Sequence, residues 1–179
     1  MPWIAGVDEA GRGALAGPVV AAAVVLPEGF THPLLRDSKT LTPTQRALLF
    51  HRLMEAGALI GIGMQGPEVI DRLNILRATL LSMEEAIDSL PLSPARIRVD
   101  GPHAPRQAGV ETYIRGDQTF PEIAAASIVA KIIRDQLMQL LHKDYPLYNW
   151  AANKGYPTPT HRLAIKTYGV SPLHRLSFL

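Results

Sequence analysis

The sequence predicts an α/β protein, a five-stranded sheet that opens like a hairpin and is flanked by helices. Two observations carry that prediction. Short buried-strand patterns come first and then alternate with helical patterns, the order expected when helices cover a sheet. The 179 residues, 47% of them hydrophobic, can bury a proper core, and no repeat, low-complexity tract or long linker divides them. The expected organisation is one domain over residues 1–179, including a C-terminal helical part from about residue 143 to 179.

The elements follow in order. WIAGV (Trp3 to Val7) and the run from Val19 to Leu26 read as buried strands separated by a glycine-rich turn. LIGIGMQ (Leu59 to Gln65), RIRVD (Arg96 to Asp100) and ETYI (Glu111 to Ile114) complete the five. Thr42 can cap the first helix, with Pro43 at its first position and Gln45 closing a capping box. Pro67 opens the second, where Val69, Leu73, Leu76, Leu80, Met83 and Ile87 form one continuous apolar stripe. The third runs from about Pro121 to His142, with Ile123, Ala126, Ala130, Ile133, Leu137 and Leu140 on its buried side. A last helix follows Thr158 and Pro159 and stops at Gly169.

Composition excludes several classes. With no cysteine there is no disulfide framework, thiolate nucleophile or cysteine zinc site, which agrees with a reducing, cytoplasmic setting. The N-terminus lacks a basic region of the secretory kind, and the longest apolar run, Val19 to Leu26, is too short to span a bilayer, so no membrane association is expected. Net charge is +2, but residues 1–89 hold 7 Lys and Arg against 10 Asp and Glu, and residues 90–179 hold 11 against 6. A basic half facing an acidic one suits a phosphate-rich ligand beside a carboxylate cluster; an uneven solvated surface gives the same count.

The stretch GVDEAGRGALAGP, residues 6–18, ends an apolar run with two adjacent carboxylates, Asp8 and Glu9. Neighbours on a regular strand face opposite ways, so these two are expected to converge only if the strand ends or bends there. The glycines at 11, 13 and 17 miss the dinucleotide-binding spacing, and a strand follows where a helix should begin, which disfavours a Rossmann site. Asp100 and Asp117 also sit at strand ends beside glycines. Each alone reads as a turn residue; four together favour a hard divalent cation, Mg²⁺ or Mn²⁺, between them. On the third helix Ser127, Lys131 and Arg134 fall on one face opposite the apolar stripe. That row reads equally as a phosphate-binding face and as a solvated face with an internal Lys131 to Asp135 pair.

The chain resembles the ribonuclease HII family over nearly its whole length. GVDEAGRG, LAGPVVAAAV, DSKTLT, NILRAT, VDG, the Gly116–Asp117 pair, IAAASIVAKIIRD, GYPT and SPLHRLSF match that family's signatures in order. Ala14 stands where a proline is usual, and QTFPE (Gln118 to Glu122) replaces a small, serine-containing linker. The resemblance implies a ribonuclease H-like fold with a mixed sheet and a C-terminal helical extension. It implies hydrolysis of RNA paired to DNA and cleavage at ribonucleotides embedded in duplex DNA, with two divalent ions. Asp8, Glu9, Asp100 and Asp117 become the metal ligands and catalytic carboxylates. Gly11, Arg12 and Gly13 become the reader of the ribonucleotide, Tyr156 the contact to the sugar at the junction, and Ser38 and Lys39 neighbours of the substrate backbone.

Two other function classes compete. A phosphotransferase of the actin and hexokinase type would need a second phosphate-binding hairpin and a longer chain. A non-catalytic binder of RNA/DNA hybrids would not need four carboxylates facing a polyanion. His161 and His174 lack metal-binding spacing and are expected to pack or cap, and Met83 and Met138 to lie in the core.

Overall fold

The computed structural model describes residues 3–179, and of residues 36–39 the backbone alone. Five strands form one sheet: β1 (Ile4–Ala10), β2 (Val19–Val25), β3 (Leu59–Gln65), β4 (Arg96–Asp100) and β5 (Val110–Tyr113). Their order is β3-β2-β1-β4-β5. β1 pairs antiparallel with β2 and β2 with β3, whereas β4 is parallel to both β1 and β5, so the sheet is mixed.

The helices are α1 (Pro43–Glu55), α2 (Pro67–Leu73), α3 (Ile75–Asp88), α4 (Pro121–Asp144), α5 (Trp150–Asn153) and α6 (Pro159–Tyr168). α1 starts on the expected capping box: Thr42 accepts from the Gln45 amide, and the Gln45 side chain accepts from the Thr42 amide. α6 starts on Thr158 and ends at Gly169. A short 3-10 helix, Pro33–Thr40, which no periodicity announces, precedes α1.

The helix expected to run unbroken from Pro67 is two. Asn74 takes φ 70°, a conformation that asparagine tolerates better than most residues, and its side chain accepts from the Arg77 amide to start α3 anew. The stripe over Leu73 and Leu76 therefore spans a corner.

Layers follow from β2, whose VVAAAVV sequence is buried on both faces. One face packs against α4 and α1 through Ala22, Val24, Leu49, Leu53 and the alanine-rich stretch of α4. The other packs against α3 through Val7, Ala21, Ala23, Met83 and Ile87. Approach is close where β1 meets the start of α4: a Cβ at Gly6 would lie 2.1 Å from the Glu122 carbonyl carbon, so only glycine fits. That contact brings Ser127 of α4 beside the end of β1. Leu140, expected on the buried side of α4, is exposed, because the far end of this 24-residue helix has left the sheet. The segments after α4 build a separate small cluster of Met138, Tyr148, Trp150 and Ala164. Among the described residues no helix is long and apolar enough to cross a membrane.

Candidate active site

The acidic side of the site is built by where β4 stops. β1 runs through Asp8 and Glu9 in register with β2 and ends one residue later, at Ala10. Its pairing with β4, however, ends at Val7 opposite Val99. Asp8 and Glu9 thus extend past the parallel ladder, next to the strand end that carries Asp100. The Glu9 amide donates to Asp8 Oδ1 at 2.8 Å, and Ser127 hydrogen-bonds the same carboxylate. Burial pushes the Asp8 pKa well above the ordinary carboxylate range, and the charges of Glu9 and Asp100 push it further. Burial raises Glu9 as well; Arg12, 3.4 Å away, opposes the rise and Asp100 adds to it. Asp100 Oδ1 accepts from the Gly116 amide at 2.7 Å, which ties the end of β4 to the turn holding buried Asp117.

The donor set fits a divalent cation. These are hard oxygen donors from three neighbouring elements, and burial disfavours the charge of Asp8 and Glu9 unless a positive charge joins them. Among the described residues no three of them close into a ready-made cage. Glu9 leans on Arg12, Asp100 on the Gly116 amide, and Asp8 on Ser127 and the Glu9 amide, each taking a local partner instead.

The loop of residues 11–18 is held by two buried arginines. Arg134 of α4 is not on a polar face: it is 0% exposed. Its Nε donates to the Pro18 carbonyl at 2.9 Å, Nη1 to Lys154 at 2.8 Å and Nη2 to Ala16 at 3.1 Å. It is therefore a scaffold residue rather than a phosphate contact. Its burial arises from partners 116 and 118 positions away, which helical spacing does not reveal. Arg175, also fully buried, donates to the carbonyls of Gly11, Arg12 and Gly17. The two glycines differ in consequence. Gly11 has φ 92°, and a Cβ there would sit 1.9 Å from Arg134 Nε, whereas nothing lies within 4 Å of a Cβ at Gly13.

A cleft of about 260 Å³ lies beside the loop, lined by Glu9, Gly11, Ser127, Lys131, Tyr156 and Arg46. Ser127 and Lys131 thus join the site, with Lys131 paired to Asp135 at 2.8 Å and poised 5.4 Å from the Tyr156 ring centre. The side chains of Ser38 and Lys39 lie outside the described residues. Arg46 and Arg175 were not singled out from the sequence. Arg46 sits in the first turns of α1 with no pattern to mark it, and Arg175 lies within SPLHRLSF, the only trace of its role.

Tyr156 is placed by histidines. The Ser171 amide donates to His174 Nδ1 at 2.9 Å, which puts the His174 proton on Nε2, facing His161 Nε2 at 3.1 Å. His161 Nε2 also accepts from Trp150 Nε1, so its own proton is on Nδ1, 2.9 Å from the Tyr156 carbonyl. Both rings are neutral in this chain. Burial lowers the pKa of each, and for His174 the proximity of His161 brings it to about 4.

A five-stranded mixed sheet in the order β3-β2-β1-β4-β5, with helices on both faces, is a ribonuclease H-like fold. The family model described as Ribonuclease HII matches residues 5–179. A Ribonuclease HII of Porphyromonas gingivalis is 50% identical over 175 residues, 97% of this chain and 87% of that one. The ribonuclease H2 of Pyrococcus horikoshii OT3 superposes with a TM-score of 0.78 at 30% identity, covering 98% of this chain and 93% of that one. Bst-RNase HIII, solved in complex with Mn²⁺, shares the fold with a TM-score of 0.75 at 18% identity, over 99% and 67% of the two chains. The chain belongs to the ribonuclease HII family and is a ribonuclease H enzyme acting on nucleic acid.

Proposed function

We propose that this enzyme cuts the RNA strand of RNA/DNA hybrids and also cuts at single ribonucleotides embedded in duplex DNA, leaving 5′-phosphate and 3′-hydroxyl ends. The observation that carries the reading is the cleft that Glu9, Gly11 and Tyr156 line together, at the start of a turn that is open at Gly13. A ribose 2′-OH is the one group that separates RNA from DNA at a given nucleotide, and main-chain amides can meet it only where no side chain intervenes. Tyr156 then packs against the deoxyribose of the next nucleotide, where a 2′-OH would crowd its ring.

Asp8, Glu9, Asp100 and Asp117 are assigned as ligands of two divalent ions, Mg²⁺ or Mn²⁺. Bound there, the ions would polarise the phosphate and an attacking water, and offset charge on the departing 3′ oxygen. The chain's own residues do the rest. Ser127 holds the Asp8 carboxylate in orientation, Arg12 opposes the burial-driven rise of the Glu9 pKa, and Lys131 offers its ammonium to the substrate backbone. The 2′-OH is used for recognition and not as the nucleophile, so no cyclic phosphate is expected.

Incubating the protein with an end-labelled duplex carrying one ribonucleotide, with and without Mg²⁺ or Mn²⁺, tests the reading. A metal-dependent cut at the ribonucleotide, with a 5′-phosphate on the downstream fragment, is expected. Cleavage of long hybrids only, or a 2′,3′-cyclic end, would overturn it.

A further inference from the structure

We propose that Arg175 is a positioning residue for ribonucleotide selection: by holding two peptide planes of the reading loop, it aims the Arg12 and Gly13 amides at the 2′-OH. The proposal rests on the reading of Gly11–Gly13 as the ribonucleotide contact, and it explains how that contact is kept in place.

A trans peptide is planar, and its C=O and N–H point in opposite directions. Fixing the carbonyl of residue 11 therefore fixes the amide of residue 12, and the carbonyl of residue 12 fixes the amide of residue 13. Arg175 holds both carbonyls: Nη2 donates to Gly11 at 2.7 Å and Nη1 to Arg12 at 2.9 Å. Both face a guanidinium that is 0% exposed, so the carbonyls point into the molecule and the partnered amides point away from it. Among the described residues no group accepts from the Arg12 or Gly13 amide. Two donors without protein partners thus lie on the open side of the turn, where Gly13 leaves room for another molecule.

The guanidinium is itself immobilised. Its Nε donates to Gly17 at 3.0 Å, its own main-chain amide donates to the Leu15 carbonyl at 2.8 Å, and its Cζ lies 5.2 Å from the Phe178 ring centre. The two Nη atoms form a rigid planar fork, which is what fixes the angle between successive peptide planes. A lysine could reach one carbonyl but has no fork with which to hold two. Among the described residues Arg175 has no carboxylate in ion-pair contact. Its hydrogen bonds all go to carbonyls, an arrangement suited to shaping main chain.

The test compares Arg175→Lys with the wild-type chain on two substrates, a DNA duplex with one ribonucleotide and a uniform RNA/DNA hybrid, reading kcat and KM for each. The expected result is a loss of kcat/KM roughly ten- to a hundredfold greater on the single ribonucleotide, where one 2′-OH is the whole RNA signal. Replacing that 2′-OH by 2′-fluoro should then cost the variant far less than it costs the wild type, a coupling that a general loss of stability would not produce. If Arg175→Lys does not fold, Phe178→Ala, which frees the guanidinium without removing it, should show the same bias at smaller size. Equal losses on both substrates, with the 2′-fluoro penalty unchanged, would overturn the positioning role. A wild-type chain that ignores single ribonucleotides would instead overturn the reading of the loop, so the two failures are distinguishable.

Discussion

Asp8 and Arg175 are both buried charges, and the molecule treats them oppositely. Burial drives the carboxylate's pKa up, and Glu9 and Asp100, charges of its own sign, drive it further. The guanidinium, lowered to about 9 by burial and by Arg134, is surrounded by carbonyl dipoles that satisfy its donors. One region is electrostatically incomplete and the other is finished. The difference separates a carboxylate that burial and like charge leave short of positive charge from a guanidinium whose donors are all satisfied, although Arg175 reaches from the far end of the chain to the loop that follows Asp8 and Glu9.

The sharpest way to break that contrast is to neutralise the incomplete side. Asp8→Asn, Asp100→Asn or Asp117→Asn should lower kcat by about a thousandfold or more while substrate binding persists, because a repulsive charge facing phosphate is removed together with a proposed ligand. Asp8→Asn should leave the melting temperature unchanged or raised, since like charges no longer crowd. A near-normal rate for any one of the three takes that residue out of the site, and a lowered melting temperature for Asp8→Asn moves it to the finished side.

The neutral histidine chain should behave as finished structure with an acid limit. His174 has a folded pKa of about 4 against an ordinary 6.5, so below pH 6.5 the unfolded chain takes up a proton that the folded chain refuses. Stability contributed by the neutral ring is thus full above pH 6.5 and is lost as pH falls toward 4. Denaturant midpoints measured from pH 7.5 to 4.5 check it, and a flat profile would mean that the ring is not held neutral.

The two loop glycines sharpen the contrast within a few residues. Gly11→Ala should lower the melting temperature and damage all activity, because its Cβ meets Arg134 and its φ is positive. Gly13→Ala should leave the melting temperature near wild type, yet reduce cleavage at a single ribonucleotide by about ten- to a hundredfold. Equal melting losses in both would show that position 13 is scaffold too. The smallest effect belongs to Lys131→Ala, which should reduce the salt dependence of binding by about one unit of logarithmic slope. An unchanged slope would leave Lys131 as the partner of Asp135 alone.

What the sequence revealed is what short-range pattern encodes. The five strands, the Thr42 and Thr158 caps and the adjacent Asp8 and Glu9 depend on neighbours within a few residues, and all stand where expected to within a few positions. Periodicity failed where a single residue could reset it, as Asn74 does, or where distant chain decides burial, as for Arg134 and Leu140. What brings Asp8 and Glu9 beside Asp100 was not legible either. A strand does not have to end for its side chains to share a site if its neighbour ends first, and the length of β4 relative to β1 is not a local property.

Arg12 and Arg175 are 163 positions apart, so the loop they form is joined across almost the whole chain. During synthesis β1 and β2 can pair as soon as they emerge, but the turn between them keeps its final shape only after residue 175 has been made and docked. The loop proposed to contact the ribonucleotide therefore matures only after residue 175 has been made, although it is translated well before that residue. A nascent chain interrupted anywhere in α6 would carry all four carboxylates without the arginine that holds the Gly11 and Arg12 carbonyls.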